Sequence, residues 1–325
     1  MKKRVLRDAL IEKIFEKMLT DTSIYFLSAD FGAPALDKLR ERFNDRFINV
    51  GIAEQNLINI ATGLSLEGYT VYVYAIAPFL TMRAYEQIRI NLSVLSQIRE
   101  ININLIGVGC GLSYDVTGPT HHCFEDTCIM NVLPHMTIIS PSDAVLSENL
   151  IDFTLQNSGP KYIRLDGKAQ PEIYTDVEII SYEDGFSTLK EGDDLCIVST
   201  GYMTHIAMDL SERLQKEGLC SKVVDVYVLK PVSEKMRVTL AEISKTFGCI
   251  VTMEESFLNK GSLDTMVELI CRENNSMAKI VKFGFDDKYV FDVGNREHLY
   301  KVCELDPDSM IRKIKAEINI KEYGR

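Results

Sequence analysis

Apolar positions fall into two kinds of run. Leu6, Leu10, Ile14 and Met18 recur every four residues among charged neighbours, so residues 6–19 read as an amphipathic helix. IYFLSAD (24–30), YTVYVYAIA (69–77), INLIGVG (103–109) and MTIISPSD (136–143) are instead short, nearly continuous apolar stretches rich in β-branched and aromatic residues. Such runs suit strands buried on both faces of a parallel sheet. Between them, residues 53–66 predict a helix stopped by Gly68, residues 85–95 predict another, and Ser142 or Asp143 is placed to cap a helix reaching Asn157. Residues 166–182, DGKAQPEIYTDVEIISY, break the pattern. The alternation then resumes with DLCIVSTG (194–201), a helix over 203–216, KVVDVYVL (222–229), GCIVTMEE (248–255), a helix near 262–272 and AKIVKFG (278–284). The expected fold is α/β, with two open, mainly parallel-sheet domains over 1–170 and 186–325 and a linker over 171–185.

Composition narrows the partners. The 325 residues fit two domains. With 36 Lys and Arg against 47 Asp and Glu the net charge is −11, which argues against a nucleic-acid partner but leaves room for a small anionic substrate in a locally positive pocket. No apolar run approaches the ~20 residues of a membrane span, and the opening MKKRVLRDALIEKIFEKML stays charged where a secretory leader would be apolar. Eight cysteines without a CxxC pair read as reduced thiols, so a cytoplasmic location is expected. His121, His122, Cys123, Cys128 and His135 carry metal-ligating atoms, but adjacent side chains diverge, and no metal ligand is assigned.

In open α/β sheets, functional groups gather at the C-terminal ends of strands and the N-terminal ends of helices. Glu54 stands there, between a glycine turn and an apolar helix, as a partly desolvated carboxylate able to share or relay a proton, or as a first-turn acid favoured by the helix dipole. The stretch GVGCGLSYDVTGPTHHCFED (107–126) combines close-approach glycines with His121 and His122, which could move protons near neutral pH or form a half-buried loop pair. No GxGxxG leads into a helix, and neither a GxSxG elbow nor a Walker A loop occurs.

FINVGIAEQNLINIATGLSLEG, PFLTMRAYEQIR, GPTHHCFED and PSD together resemble the pyrimidine-binding domain of the transketolase family, which includes the deoxyxylulose phosphate synthases. IVSTGYMTHIA, VYVLKPV and VTMEES are similar to that family's C-terminal domain. The resemblance implies thiamine diphosphate as cofactor and Glu54 as the carboxylate that hydrogen-bonds N1′ of its aminopyrimidine ring. It implies that Phe79 packs on the pyrimidine, with Met82 or Leu80 sharing the contact, and that Asp30 lies near the cofactor at a subunit interface. Arg83 either supports that site or is an exposed helix arginine. His121 corresponds to the GPTH histidine that faces the substrate, with His122 beside it. Asp166 stands where deoxyxylulose phosphate synthases place a phosphate-binding arginine, so Arg164 or Lys168 becomes the candidate substrate cation. The family holds the diphosphate through Mg²⁺ on a GDG motif, which this sequence lacks. The expectation is therefore the C-terminal subunit of a split transketolase, moving a two-carbon ketol unit between a ketose and an aldose. An N-terminal subunit with the GDG motif and Mg²⁺ completes it, in an α₂β₂ assembly. Alternatives are a decarboxylating enzyme, either deoxyxylulose phosphate synthase-like or a 2-oxo acid dehydrogenase β subunit, and a non-catalytic scaffold.

Overall fold

The computed structural model describes residues 3–30, 32 and 34–319. Strand β1 (Lys3–Val5) runs straight into helix α1 (Leu6–Thr20), and the Leu6, Leu10, Ile14, Met18 stripe is wholly buried, as its four-residue rhythm requires. Strands β2 (Ile24–Ser28), β3 (Phe47–Asn49), β4 (Thr70–Ile76), β5 (Asn102–Val108), β6 (Thr137–Ile139) and β7 (Gly159–Leu165) form a parallel sheet in the order β6-β7-β5-β4-β2-β3. A short strand β8 (Ala169–Pro171) returns to pair antiparallel with β1. Helices α2 (Pro34–Arg42) and α3 (Glu54–Leu66) follow β2 and β3. At the end of α3 the Gly68 N–H donates to the Ser65 carbonyl, with Gly68 at φ 90, so the expected left-handed cap forms.

The helix predicted over 85–95 takes a different form. Only Tyr85–Gln87 (α4) is α-helical, flanked by wider π-helical turns at Phe79–Arg83 and Ile88–Val94. The Thr81 hydroxyl donates back to the Ala77 carbonyl at 2.8 Å, a hydroxyl competing inside the ladder at the place where the turn opens. Helix α5 (Asp126–Asn131) precedes β6, and α6 (Ala144–Gln156) follows it. Asp143, not Ser142, caps α6: its Oδ1 accepts from the Leu146 N–H at 2.9 Å.

The second sheet comprises β9 (Phe186–Lys190), β10 (Leu195–Ser199), β11 (Ser221–Val226), β13 (Cys249–Phe257) and β14 (Lys279–Phe285), in the order β14-β13-β10-β11-β9 with only β9 antiparallel. The run KVVDVYVL, expected as one strand, divides at Tyr227. The remainder, β12 (Val228–Lys230), crosses to the first sheet and pairs antiparallel with β6. The Tyr227 hydroxyl, directed to the Ser181 and Phe186 carbonyls, anchors the division. Helices α7 (Met203–Lys216), α8 (Glu234–Thr246), α9 (Leu263–Glu273), α10 (Arg296–Val302) and α11 (Pro307–Asn319) complete this half.

One apolar core contains residues of both halves, including Leu57, Val73 and Leu105 with Val198, Val224 and Leu263. The connecting stretch is packed as well: the Ile173 and Tyr174 N–H groups donate to Asp143 Oδ2 at 2.7 and 2.9 Å, and Tyr174 and Tyr182 are buried. Among the described residues, no helix is long and apolar enough to cross a membrane.

Candidate active site

Strands β5, β4, β2 and β3 are neighbours, so the segments leaving their C-terminal ends converge on one edge of the sheet. After β2, Asp30 adopts φ 52 and is held by Asn49: its N–H donates to Asn49 Oδ1 at 3.1 Å, and Asn49 Nδ2 donates to Asp30 Oδ1 at 2.9 Å. The Gly51 N–H donates to the same Asn49 oxygen at 3.0 Å, and Gly51, at φ 74, turns the chain into α3. Glu54, the first residue of that helix, is 3 % exposed.

Its partner comes from the π-helical turn after β4. Arg83 Nη1 donates to Glu54 Oε2 at 2.7 Å, and the same guanidinium lies over the Phe79 ring, 4.8 Å from its centroid. Arg83 is itself 47 % exposed, so the pair is solvent-screened on one side. The edge of His121 meets Phe79 at 5.3 Å, and His121 Nδ1 hydrogen-bonds the Thr120 hydroxyl at 3.0 Å. Glu54, Phe79, Arg83 and His121 therefore form one contiguous cluster, with Asp30 tied to it through the Asn49–Gly51 turn. Met82 points outward and is partly exposed, whereas Leu80 is sealed in the core.

An aminopyrimidine ring needs a flat apolar face and an acceptor for the proton on its ring nitrogen. Phe79 and Glu54 offer both. In this structure Arg83, flat and rich in donors, makes those same two contacts. The donor set fits the cofactor ring.

Two expected substrate residues do not reach this cleft. His122 is buried: its Nε2 lies 3.3 Å from the Asp115 carbonyl, its ring packs on Phe124, and burial holds it below the ordinary histidine range. Arg164 is also sealed. Its Nε donates to Asp126 Oδ2 at 2.8 Å and its Nη2 to the Glu255 carbonyl at 2.6 Å, so this guanidinium joins the two domains rather than binding a ligand. Lys168 pairs with Asp115. Of the acidic pair ending β13, Glu254 receives the Leu263 and Asp264 N–H groups at the start of α9, while Glu255 faces the first domain.

The glycine run also has an internal explanation. A Cβ on Gly107 would lie 2.7 Å from the Tyr162 ring, on Gly109 1.9 Å from Tyr114, and on Gly111 2.1 Å from Glu255 Oε2. The backbone comes close to the protein's own side chains here. Of the cysteines and histidines at 121–135, His121 meets the Thr120 hydroxyl, His122 the Asp115 carbonyl and Cys128 Sγ the Ser256 hydroxyl at 3.3 Å, three separate partners. Among the described residues, no group of three or more His, Cys, Asp or Glu could hold a metal ion.

The structure adds residues that the sequence pattern passes over. Tyr114 meets His121 edge-on at 6.4 Å. Arg7, at the start of α1, interacts with Tyr74 and Tyr114 and donates from Nε to Asp8 at 2.8 Å. Arg7, mostly buried and paired with Asp8, thus puts a cation in electrostatic reach of Tyr114, the ring that meets His121. No local signal marks Arg7, because its neighbours come from positions 74 and 114.

Residues 2–170 match the family model "Transketolase, pyrimidine binding domain", and residues 186–310 match "Transketolase, C-terminal domain". The chain belongs to the transketolase family. It is 29% identical to a "Putative transketolase C-terminal section" of Methanocaldococcus jannaschii, across 91% of this chain and 90% of that protein. It is 28% identical to a subunit of the apulose-4-phosphate transketolase of Actinobacillus succinogenes, across 94% of this chain and 96% of that one. A solved structure described as "Split gene transketolase, inactive beta4 tetramer" superposes with a TM-score of 0.84 at 30% identity, covering 96% of this chain and 97% of its own. Transketolase membership implies dependence on thiamine diphosphate, and the two-domain α/β fold is that of the family's pyrimidine-binding and C-terminal halves.

Proposed function

We propose that this chain is the pyrimidine-side subunit of a two-subunit transketolase that moves a two-carbon ketol unit from a ketose to an aldose. A separate subunit supplies the GDG motif, the diphosphate site and Mg²⁺, in an α₂β₂ assembly. The observation that carries this reading is the end-to-end match to relatives named as a C-terminal section and as one subunit of a transketolase, joined to the Glu54–Phe79–His121 cluster. The exposure of Ile52, Met82 and Val116 around that cluster supports a partner that covers it.

When bound, thiamine diphosphate supplies a carbon nucleophile and an electron sink for carbon–carbon cleavage. Glu54 would hold N1′ of its ring through a shared proton and so supply the carboxylate that this ring needs. Phe79 would carry the ring face, with Arg83 yielding the contacts it makes to Glu54 and Phe79. Asp30, held by Asn49, borders the site on the partner side, and Met82 lies at its rim. With Nδ1 engaged by Thr120, His121 presents Nε2 to the substrate's oxygens and positions a proton there during cleavage. Arg7 meets an anionic group on the far end of the sugar. The A. succinogenes relative is named for a sugar phosphate, which agrees with such a tail.

A donor assay with both subunits, thiamine diphosphate and Mg²⁺ tests the reaction class. A ketose consumed with an aldose acceptor and no CO₂ release is expected. Pyruvate consumption with CO₂ release overturns the reading. In the same assay Arg7→Ala should raise KM for a phosphorylated ketose by about tenfold or more, the scale of a lost hydrogen bond to a charged group, and should leave an uncharged ketose unaffected.

A further inference from the structure

We infer that Arg296, in the second domain, is a positioning residue for the His121 loop; its effect on turnover rests on the transketolase reading above. The loop from Gly109 to His122 lies against the C-terminal end of β13, and the second domain grips it at several points. The Arg296 backbone N–H donates to Asp115 Oδ2 at 2.6 Å, and its Nη2 donates to Asp166 Oδ2 at 2.5 Å. Its Nε faces Glu255 Oε1 at 3.5 Å. Each of these carboxylates in turn holds the loop. Asp166 Oδ1 accepts from the Ser113 hydroxyl at 3.2 Å, and Glu255 Oε1 accepts from the Leu112 N–H at 3.4 Å. The Asp115 carbonyl is met by His122 Nε2, and the N–H groups of His121 and His122 both reach the Gly118 carbonyl.

Through Glu255 and Asp166 the one guanidinium therefore stands behind Leu112 and Ser113, while the backbone N–H of the same residue holds Asp115, and together they set where the following turn places His121. Its own position is closely determined. The guanidinium stacks on Tyr202 at 3.9 Å, the Tyr300 hydroxyl donates to Glu255 Oε1 at 2.7 Å, and Arg296 is 6 % exposed. A buried, directional ionic network is a poor source of net stability compared with apolar packing, but it holds geometry well. Gly111 fits the same scheme: the Glu255 carboxylate occupies the space that its Cβ would need. Positioning errors of an ångström remote from the chemistry can cost up to about a hundredfold in rate.

The test compares Arg296→Met and Arg296→Lys in two measurements. In the complete two-subunit enzyme, Arg296→Met is expected to lower kcat/KM for the ketose donor by about tenfold or more, chiefly through KM. Half-saturation by thiamine diphosphate should stay within about twofold, because Glu54 and Phe79 stand on other elements, and Arg296→Lys should recover most of the loss. In the full chain alone, labelled at histidine Cε1, the His121 and His122 NMR signals should shift in Arg296→Met while His135 keeps its position. Unchanged kcat/KM with unchanged His121 signals overturns the inference. So does a loss of activity that only follows the fraction of folded protein, with donor KM and cofactor half-saturation unchanged. Should Arg296→Met not fold, Glu255→Gln is read by the same criteria. The NMR arm needs no turnover, so it separates failure of this inference from failure of the transketolase reading.

Discussion

Arg83 makes, in the free chain, the two contacts that a bound aminopyrimidine would take over: a hydrogen bond to Glu54 and a stack on Phe79. Glu54 is thus held in place without a ligand, in a wall that is buried but opens to solvent through an exposed arginine. Glu54→Gln, which keeps the shape and loses the carboxylate, should lower turnover of the assembled enzyme by about 10²–10⁴-fold, the usual span for proton-handling groups. Circular dichroism and the thermal midpoint should stay close to wild type. Lys161 offers a test remote from the site. It is buried, donates to Asn102 Oδ1 at 2.9 Å and to the Gly159 carbonyl at 3.1 Å, and burial pushes its pKa from 10.5 down to about 7. Between those two values the unfolded chain keeps a proton that the folded chain has shed, so this lysine makes stability rise as pH increases from about 7 toward 10.5. Urea midpoints measured at pH 7 and 9 should rise in wild type relative to Lys161→Met. The clustering of Glu54, Phe79 and His121 is legible in the sequence, because motif and strand end coincide there. Arg164 differs from the expectation of a substrate cation because its guanidinium is taken by Asp126 and by a carbonyl 91 residues away, which no local pattern encodes.

At the scale of elements, the alternation of apolar runs and amphipathic stretches located most strands of both sheets, since parallel strands buried on both faces cannot carry many polar residues. The failures share a cause. Residues 85–95 have a helical pattern, but the chain enters them through the wider Phe79–Arg83 turn, where the Thr81 back-bond and the Arg83–Glu54 contact lie. The division of KVVDVYVL depends on where the second sheet ends and the first sheet's edge begins, a tertiary fact. Caps follow simpler rules. Asp143 satisfies the Leu146, Ile173 and Tyr174 N–H groups at once, fastening α6 and the connecting stretch together. Asp143→Ala should therefore cost more than a lone cap, about 2 kcal/mol or more by urea unfolding.

At the scale of the whole molecule, the two domains share an apolar core, exchange strand β12 and are joined by the Arg164 and Arg296 networks. The Glu54 cluster lies beside exposed Ile52 and Val116. The most direct measurement is a calorimetric titration of thiamine diphosphate with Mg²⁺ into this chain alone, and then into its mixture with a GDG-bearing subunit from the same genome. Under the split-subunit reading, tight binding is expected only in the mixture and is abolished there by Glu54→Gln. Tight binding and ketose turnover by the chain alone would contradict it, as would a mixture that forms a complex and still binds no cofactor.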